Sequence, residues 1–188
     1  MAHDYDVIVA GAGMVGAAVA YGLACEGQRV LLLDGADTDY RAAKANFGLV
    51  WLQGKGHGYP AYQRLSRQAV HAWPEFARQL QDDSGITLDY EQRGGLHFCM
   101  SDDDLAHRAA RLDAWRGQAP ELPPCTRILD RAELRRRFPT LQLGDAVAGA
   151  SLGEQDGHVN PLRLLAALQA AFLRLSLIHI SEPTRPRL

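Results

Sequence analysis

The segment DYDVIVAGAGMVGAAVA, residues 4–20, constrains the fold more than any other part of this sequence. Val7 to Ala10 form a short continuous apolar run, the pattern of a parallel strand covered on both faces. Gly11, Gly13 and Gly16 follow at G-x-G-x-x-G spacing, and Met14 to Cys25 read as an alanine-rich helix that stops at Gly27. Val30 to Leu33 make a second buried strand, which ends in Asp34. Strand, helix and strand compose one β-α-β unit, and the right-handed crossover rule places its helix on one face of the sheet. Gly11 permits the tight turn out of the strand, Gly13 admits close approach of a pyrophosphate to the backbone, and Gly16 lets the helix pack on the strand. The helix start adds unpaired N–H groups and roughly half a positive charge. Asp34 falls roughly 20 residues on, where a carboxylate can accept from both ribose hydroxyls of a dinucleotide and repels a 2′-phosphate, which argues against NADP. The competing reading is a glycine-rich turn beside a surface aspartate; it requires strand, helix, second strand and acid to coincide by accident.

The rest of the chain does not continue as β-α units. Residues 35–59 are loop-like, with KANFGLVWLQGKGHGYP carrying four glycines. A helix is predicted from Pro60, a favoured first position, with Leu65, Ala69, Trp73, Phe76 and Leu80 along one face, a kink or break at Pro74, and a stop at Gly85. Ile86, Leu88 and Tyr90 alternate with polar residues, QRGG turns, and Leu96, Phe98 and Met100 alternate again, which predicts an antiparallel hairpin. Ser101 with Asp104, and Asp130 with Glu133, read as capping boxes, the second opening a short helix that stops at Pro139. APELPPC reads as a loop, residues 146–152 as a possible strand, and Asn160 as the cap of a helix with Pro161 at its first position. No internal repeat is evident.

Nearly half of the residues (47%) are apolar, enough for a buried core, and a net charge of −2 gives no reason to expect nucleic acid or an anionic membrane as a partner. The arginines of RAELRRRF read as a solvated helix face. Three widely separated cysteines make neither a metal site nor a disulfide framework, which fits a cytoplasmic protein. Residues 7–24 are apolar but preceded by Asp4 and Asp6 and broken by glycines, so they read neither as a signal peptide nor as a membrane span.

An interrupted nucleotide-binding sheet with an antiparallel insertion is the layout of a flavoprotein rather than of an NAD domain. DVIVAGAGMVGAAVAYGLACEGQRVLLLD, KANFGLVWLQGKG, RGGLHFCMSDDDL and GEQDGHVNPLRLLAAL together resemble the N-terminal part of the D-amino-acid-oxidase-like superfamily of FAD-dependent oxidoreductases. That group includes glycine and sarcosine oxidases and the flavin subunits of opine oxidase and hydrogen cyanide synthase. The fold class expected is therefore α/β, a Rossmann-like FAD-binding β-α-β unit with an inserted antiparallel α+β substrate region, truncated. The resemblance implies that Gly11, Ala12, Gly13, Met14, Val15 and Gly16 hold the FAD pyrophosphate, that Asp34 with Gly35 holds the adenosine ribose, and that Ala45, Asn46, Phe47, Gly48 and Leu49 run beside the cofactor towards its ring. Where the family often has small hydroxyl residues before this asparagine, the sequence has RAAKAN. The implied reaction oxidises the C–N bond of an amino acid or related secondary amine by hydride transfer to the flavin, with a small-molecule amine or amino-acid substrate and electron-accepting subunits as possible partners. The rivals are an NAD-dependent dehydrogenase and a non-catalytic nucleotide-binding subunit or fragment.

The expected domains are residues 1–85 for the N-terminal part of the FAD-binding domain, 86–150 for the start of the substrate domain and 151–174 for the return. Residues 175–188, ending LSLIHISEPTRPRL, resemble a translated sequencing-adapter read-through and are expected to be a non-native tail, with native sequence ending near Arg174. The catalytic residues are expected in a C-terminal half that this chain lacks, and the chain itself is expected to be inactive. Among local candidates, His57 and Arg93 read as solvent-facing loop residues, Lys55 as loop chemistry without phosphate-loop spacing, and His97 and His158 as structural. Trp51, Trp73 and Trp115 read as packing residues, and Tyr90 and Phe98 as core of the antiparallel sheet.

Overall fold

The computed structural model describes residues 4–35, 42 and 45–177. The chain divides into two compact units, residues 1–48, 75–90 and 159–188 in one and residues 49–74 and 91–158 in the other.

In the first unit, β1 (Val7–Ala10) and β2 (Val30–Leu33) pair in parallel, with Val7 opposite Val30 and Ala10 opposite Leu33. Helix α1 (Met14–Cys25) crosses over between them, as the glycine-flanked run predicts. It ends in a Schellman motif: Gly27, at φ +76°, donates to Ala24 O and Gln28 donates to Leu23 O. Helix α5 (Pro161–Leu177) packs along α1, with Ala17, Ala20, Ala167 and Ala171 all buried. Small side chains on both helices allow close approach. The Asn160 side chain caps α5, accepting from Leu162 N and Arg163 N at 3.2 Å each. Tyr21 stacks edge-to-face on Phe76, and its hydroxyl donates to Asp83 at 2.5 Å.

The expectation that β1 is covered on both faces is corrected. Val9 faces α1, but Ile8 is 63% and Leu33 49% exposed. Among the described residues α1 covers one face of this two-stranded sheet, and alternate residues of a strand point to the other. The predicted hairpin is also corrected. Leu88 is fully buried and Ile86 and Tyr90 half-buried, so the alternation is real, yet residues 86–90 form no strand. A period of two records which side chains point inward, not which backbone they pair with. Residues 175–177 continue α5 beyond Arg174, and residues 178–188 lie outside the described residues.

The second unit is built on a three-stranded antiparallel sheet in the order β4 (Gly95–Cys99), β6 (Gly149–Gly153), β5 (Thr126–Asp130). Leu129, Leu134, Val147, Ala150 and Leu152 form its apolar core. Strand β5 follows the APELPPC loop and carries no clear signal in the sequence. Because β6 is the central strand of this sheet, residues 151–158 group with the antiparallel unit, and the division falls at Val159 rather than at residue 151. Two-residue strands β3 (Leu49–Val50) and β7 (Gly157–His158) pair antiparallel, where the sequence reads only as loop. Helix α4 (Arg131–Arg137) has the full Asp130–Glu133 capping box, and its Arg135, Arg136 and Arg137 are exposed. Helix α3 (Asp102–Gly117) has half of the predicted one: Ser101 Oγ accepts from Asp104 N, but the Asp104 carboxylate reaches back to Met100 N.

Helix α2 (Pro60–Ser84) runs through Pro74, the last residue it contributes to the second unit. Its predicted apolar face is only partly the buried one. Leu65 is 61% exposed, whereas Gln63 and Arg67 are buried. Gln63 Nε2 donates to Trp115 O at 2.9 Å, and Arg67 donates to Gln155 Oε1 at 2.8 Å and Pro123 O at 2.7 Å. Hydrogen bonds replace apolar contact on that stretch, so hydrophobic periodicity selects the wrong side.

Candidate functional site

The turn between β1 and α1 is set by backbone chemistry. Gly11 sits at φ +101°, where a side chain is strained, and its N–H donates to Leu33 O at 2.7 Å. A Cβ on Gly16 would lie 1.8 Å from Gly11 O, so the helix can meet the bend only without one. Gly13 is the N-cap of α1; no side chain caps the helix and its first turn holds no acid. Intrahelical bonding begins with Ala17 N donating to Gly13 O at 2.9 Å, which leaves the amides of Met14, Val15 and Gly16 at the open, electropositive end. Val15 is 78% exposed there. Ala12 O accepts from Gln169 Nε2 of α5 at 3.0 Å, a tie to the bend that no sequence feature signals.

Asp34 follows immediately on Leu33, the residue paired with Ala10 and bonded to Gly11, so register alone brings the acid beside the glycine bend. It is exposed, and its Oδ1 accepts from Gly35 N at 3.0 Å. Gly11, Ala12, Gly13, Met14, Val15, Gly16, Asp34 and Gly35 are thus assembled at one end of a parallel strand pair. A capless helix start, a bend free of side chains and a neighbouring carboxylate suit a diphosphate and a ribose, the parts that FAD presents.

The second group lies elsewhere in the chain. Ala45, Asn46 and Phe47 are exposed, Phe47 at 90%. Asn46 Oδ1 accepts from Gly48 N at 2.9 Å, and Gly48, at φ +66°, accepts from Val159 N at 2.8 Å. This loop is therefore fastened at the start of α5 rather than at the glycine bend. Leu49 belongs to the other unit, on β3, and is 57% exposed. Lys44 lies outside the described residues.

Of the remaining candidates, His57 is exposed as expected, Lys55 lies exposed in the turn at residues 53–58, and Arg93 is a solvent-facing arginine paired with Glu91 at 3.2 Å. His97 and His158 are exposed rather than packed, and Phe98, 39% exposed, is not core. Trp115 is buried and donates to Lys55 O, while Trp51 and Trp73 are half-buried. No group of side chains suited to a metal ion occurs among the described residues. None of their helices is long and apolar enough to cross a membrane.

A buried polar cluster in the second unit has no counterpart among the sequence expectations. Asp156 is fully buried, and its carboxylate accepts from Leu52 N at 2.6 Å, Gln53 N at 3.4 Å and Gln53 Nε2 at 2.7 Å. Burial pushes its pKa up, against the pull of these donors. The Gln53 Oε1 accepts from Ser151 Oγ at 2.5 Å and from Arg108 Nη2 at 2.8 Å. The one available signal is an aspartate in EQDGH, which reads as an ordinary turn.

The fold and the bend define a dinucleotide-binding β-α-β unit coupled in sequence to an antiparallel α+β unit. Residues 6–181 match the family of FAD dependent oxidoreductases called DAO, and the chain belongs to that family. One of the opine oxidase subunits of Agrobacterium tumefaciens (strain Ach5) is 40% identical over 172 residues, covering 92% of this chain and 46% of that protein. The HcnC subunit of hydrogen cyanide synthase from Pseudomonas aeruginosa is 30% identical, covering 91% of this chain and 48% of that protein. The crystal structure of glycine oxidase from Geobacillus kaustophilus shares the fold with a TM-score of 0.77 at 27% identity, over 93% of this chain and 46% of that one. The chain therefore spans about half the length of the relatives it matches.

Proposed function

We propose that this chain is the N-terminal part of an FAD-dependent oxidoreductase that oxidises the C–N bond of an amino acid or related secondary amine. The observation that carries the proposal is the Gly11–Gly16 bend at the open start of α1 with Asp34 beside it, in a chain of the DAO family. In this reading the amides of Met14, Val15 and Gly16 bind the pyrophosphate, Asp34 orients the ribose, and Ala45 to Leu49 line the way to the ring. Accepting a hydride is the chemistry that FAD supplies when bound. The residues present here bind and orient; no catalytic residue is assigned among them. The unit holding β1, β2, α1 and α5 serves as the nucleotide side, and the unit holding β4, β5 and β6 as the start of the substrate side.

Two of the relatives are named as subunits, which supports a hetero-oligomer in which another chain takes the electrons. Three cysteines outside any disulfide support a cytoplasmic location.

The test uses the full-length protein. Anaerobic addition of small amino acids and N-alkylated amino acids should bleach the visible flavin bands with at least one of them. A protein that purifies without flavin absorbance, or that retains NAD instead, overturns the proposal.

A further inference from the structure

We infer that Asp156 is a positioning residue for Leu49, the end of the loop Ala45 to Leu49 that belongs to the second unit, acting through the backbone of Leu52 and Gln53. The inference rests on the proposed role of that loop beside FAD.

Each unit fastens its own part of the segment 48–53 by hydrogen bonds. In the first unit, Gly48 O accepts from Val159 N at 2.8 Å. In the second, Leu49 pairs with His158 and Val50 with Gly157. The ladder stops there, ahead of the turn at residues 53–58. At that point the Asp156 side chain takes over the role of a strand and accepts from the backbone amides of Leu52 and Gln53.

The carboxylate is built into this position rather than left over in it. A Cβ on Gly153 would lie 2.0 Å from Asp156 Oδ2, so only glycine leaves room for the acid. Gln53 links the charge to its counter-charge: its N–H group donates to Asp156, and its carbonyl oxygen accepts from Arg108. Ser151 Oγ completes the set, accepting from Arg108 Nε at 2.9 Å and donating to Gln53. A buried anion and a half-buried cation are joined through one amide, which permits a single orientation of Gln53. Such a satisfied network fixes geometry more sharply than apolar packing does, since any displacement leaves a buried polar group unpaired. What it fixes is the backbone of Leu52 and Gln53, just beyond Leu49 at the end of the proposed cofactor loop.

The experiment compares Asp156→Ala, Asp156→Asn and Leu134→Ala in the full-length protein. Leu134 is a fully buried core residue of the same unit and lies outside the network. Two readouts are taken, amide hydrogen exchange over residues 49–53 and FAD affinity by fluorescence quenching. Asp156→Ala should speed exchange at residues 49–53 and weaken FAD binding about 2- to 30-fold, the range for a residue that acts through others without touching the ligand. Asp156→Asn keeps an acceptor for Leu52 N but opposes Gln53 Nε2 with a second donor, so it should fall between wild type and Ala. Leu134→Ala should lower the melting temperature while leaving both readouts unchanged.

The inference is overturned if Leu134→Ala reproduces both effects at equal loss of stability, or if Asp156→Ala leaves exchange at residues 49–53 as in wild type. If exchange responds but FAD affinity does not, the positioning of the cofactor loop is refuted. A wild-type protein that binds no FAD refutes the functional reading instead, and the exchange data still decide whether Asp156 anchors the segment.

Discussion

Replacing Gly16 by alanine opposes two calculable effects. In a helix interior the exchange ordinarily gains about 1 kcal/mol, because alanine loses less backbone entropy. At this position the new Cβ would lie 1.8 Å from Gly11 O and 3.0 Å from Gly11 C, both backbone atoms that cannot rotate away. Reaching even a 3.0 Å contact with the oxygen moves the start of α1 off the bend by about 1.2 Å, the difference from 1.8 Å. Overpacking of that kind costs about 1–3 kcal/mol, so the clash wins over propensity and the net loss of stability is about 0–2 kcal/mol. The effect on cofactor should be larger than the effect on folding, because the same displacement withdraws the amides of Met14, Val15 and Gly16 from the diphosphate. Loss of one charge-assisted hydrogen bond already corresponds to about tenfold or more in affinity. Gly22→Ala is the internal control: it lies in the same helix, and nothing stands within 4 Å of its Cβ. It should raise stability by about 0.5–1 kcal/mol and leave FAD affinity alone. Thermal denaturation and FAD titration of the two full-length variants make the comparison. If Gly16→Ala gains stability as Gly22→Ala does and binds FAD normally, the close approach of helix and bend plays no part in the site.

Asp34→Ala should weaken FAD retention about tenfold by removing the ribose acceptor, with apo-protein stability changed by no more than about 0.5 kcal/mol, as measured by dialysis and denaturant titration. Gly48→Ala places a Cβ 1.9 Å from Val159 O at a φ of +66°, and should lower stability by about 1–3 kcal/mol in a denaturant titration. The Arg29 hydrogen bonds hold the Asp6 carboxyl down to about 2 from its ordinary 3.8, so this pair stabilises above 3.8 and its contribution is lost as pH falls towards 2. Asp6→Asn should flatten the melting temperature across that acid window, and an unchanged acid limb contradicts the pairing. The 188-residue chain expressed alone should hold no stoichiometric flavin and show little turnover; recovery of a tightly bound yellow cofactor contradicts that expectation.

Much of the nucleotide half is legible in the sequence because its signals are local. A strand, a glycine-specified bend, a helix and a second strand each carry their instruction within a few residues, and the caps at Asp130 and Asn160 are chemically explicit. Pairing partners are not local. Strand β4 reads correctly as a strand, but nothing in residues 86–100 reveals that its partner is β6, with Gly95 opposite Gly153. Burial by hydrogen bonding is equally invisible. Gln63, Arg67, Gln53 and Asp156 are polar residues whose burial depends on acceptors and donors distant in sequence. The Gln169 tie to Ala12 is hidden for the same reason, since a glutamine in an alanine-rich helix carries no mark of its target.

The flavin content of full-length Gly13→Val tests the central claim most directly. A valine at the N-cap occupies the space through which the diphosphate meets the backbone, while the extended conformation there, φ −70° and ψ −175°, is one that valine adopts readily. A folded protein that has lost its visible flavin absorbance, with a circular dichroism spectrum like that of wild type, is the predicted result. A wild-type ratio of flavin to protein in that variant contradicts the account.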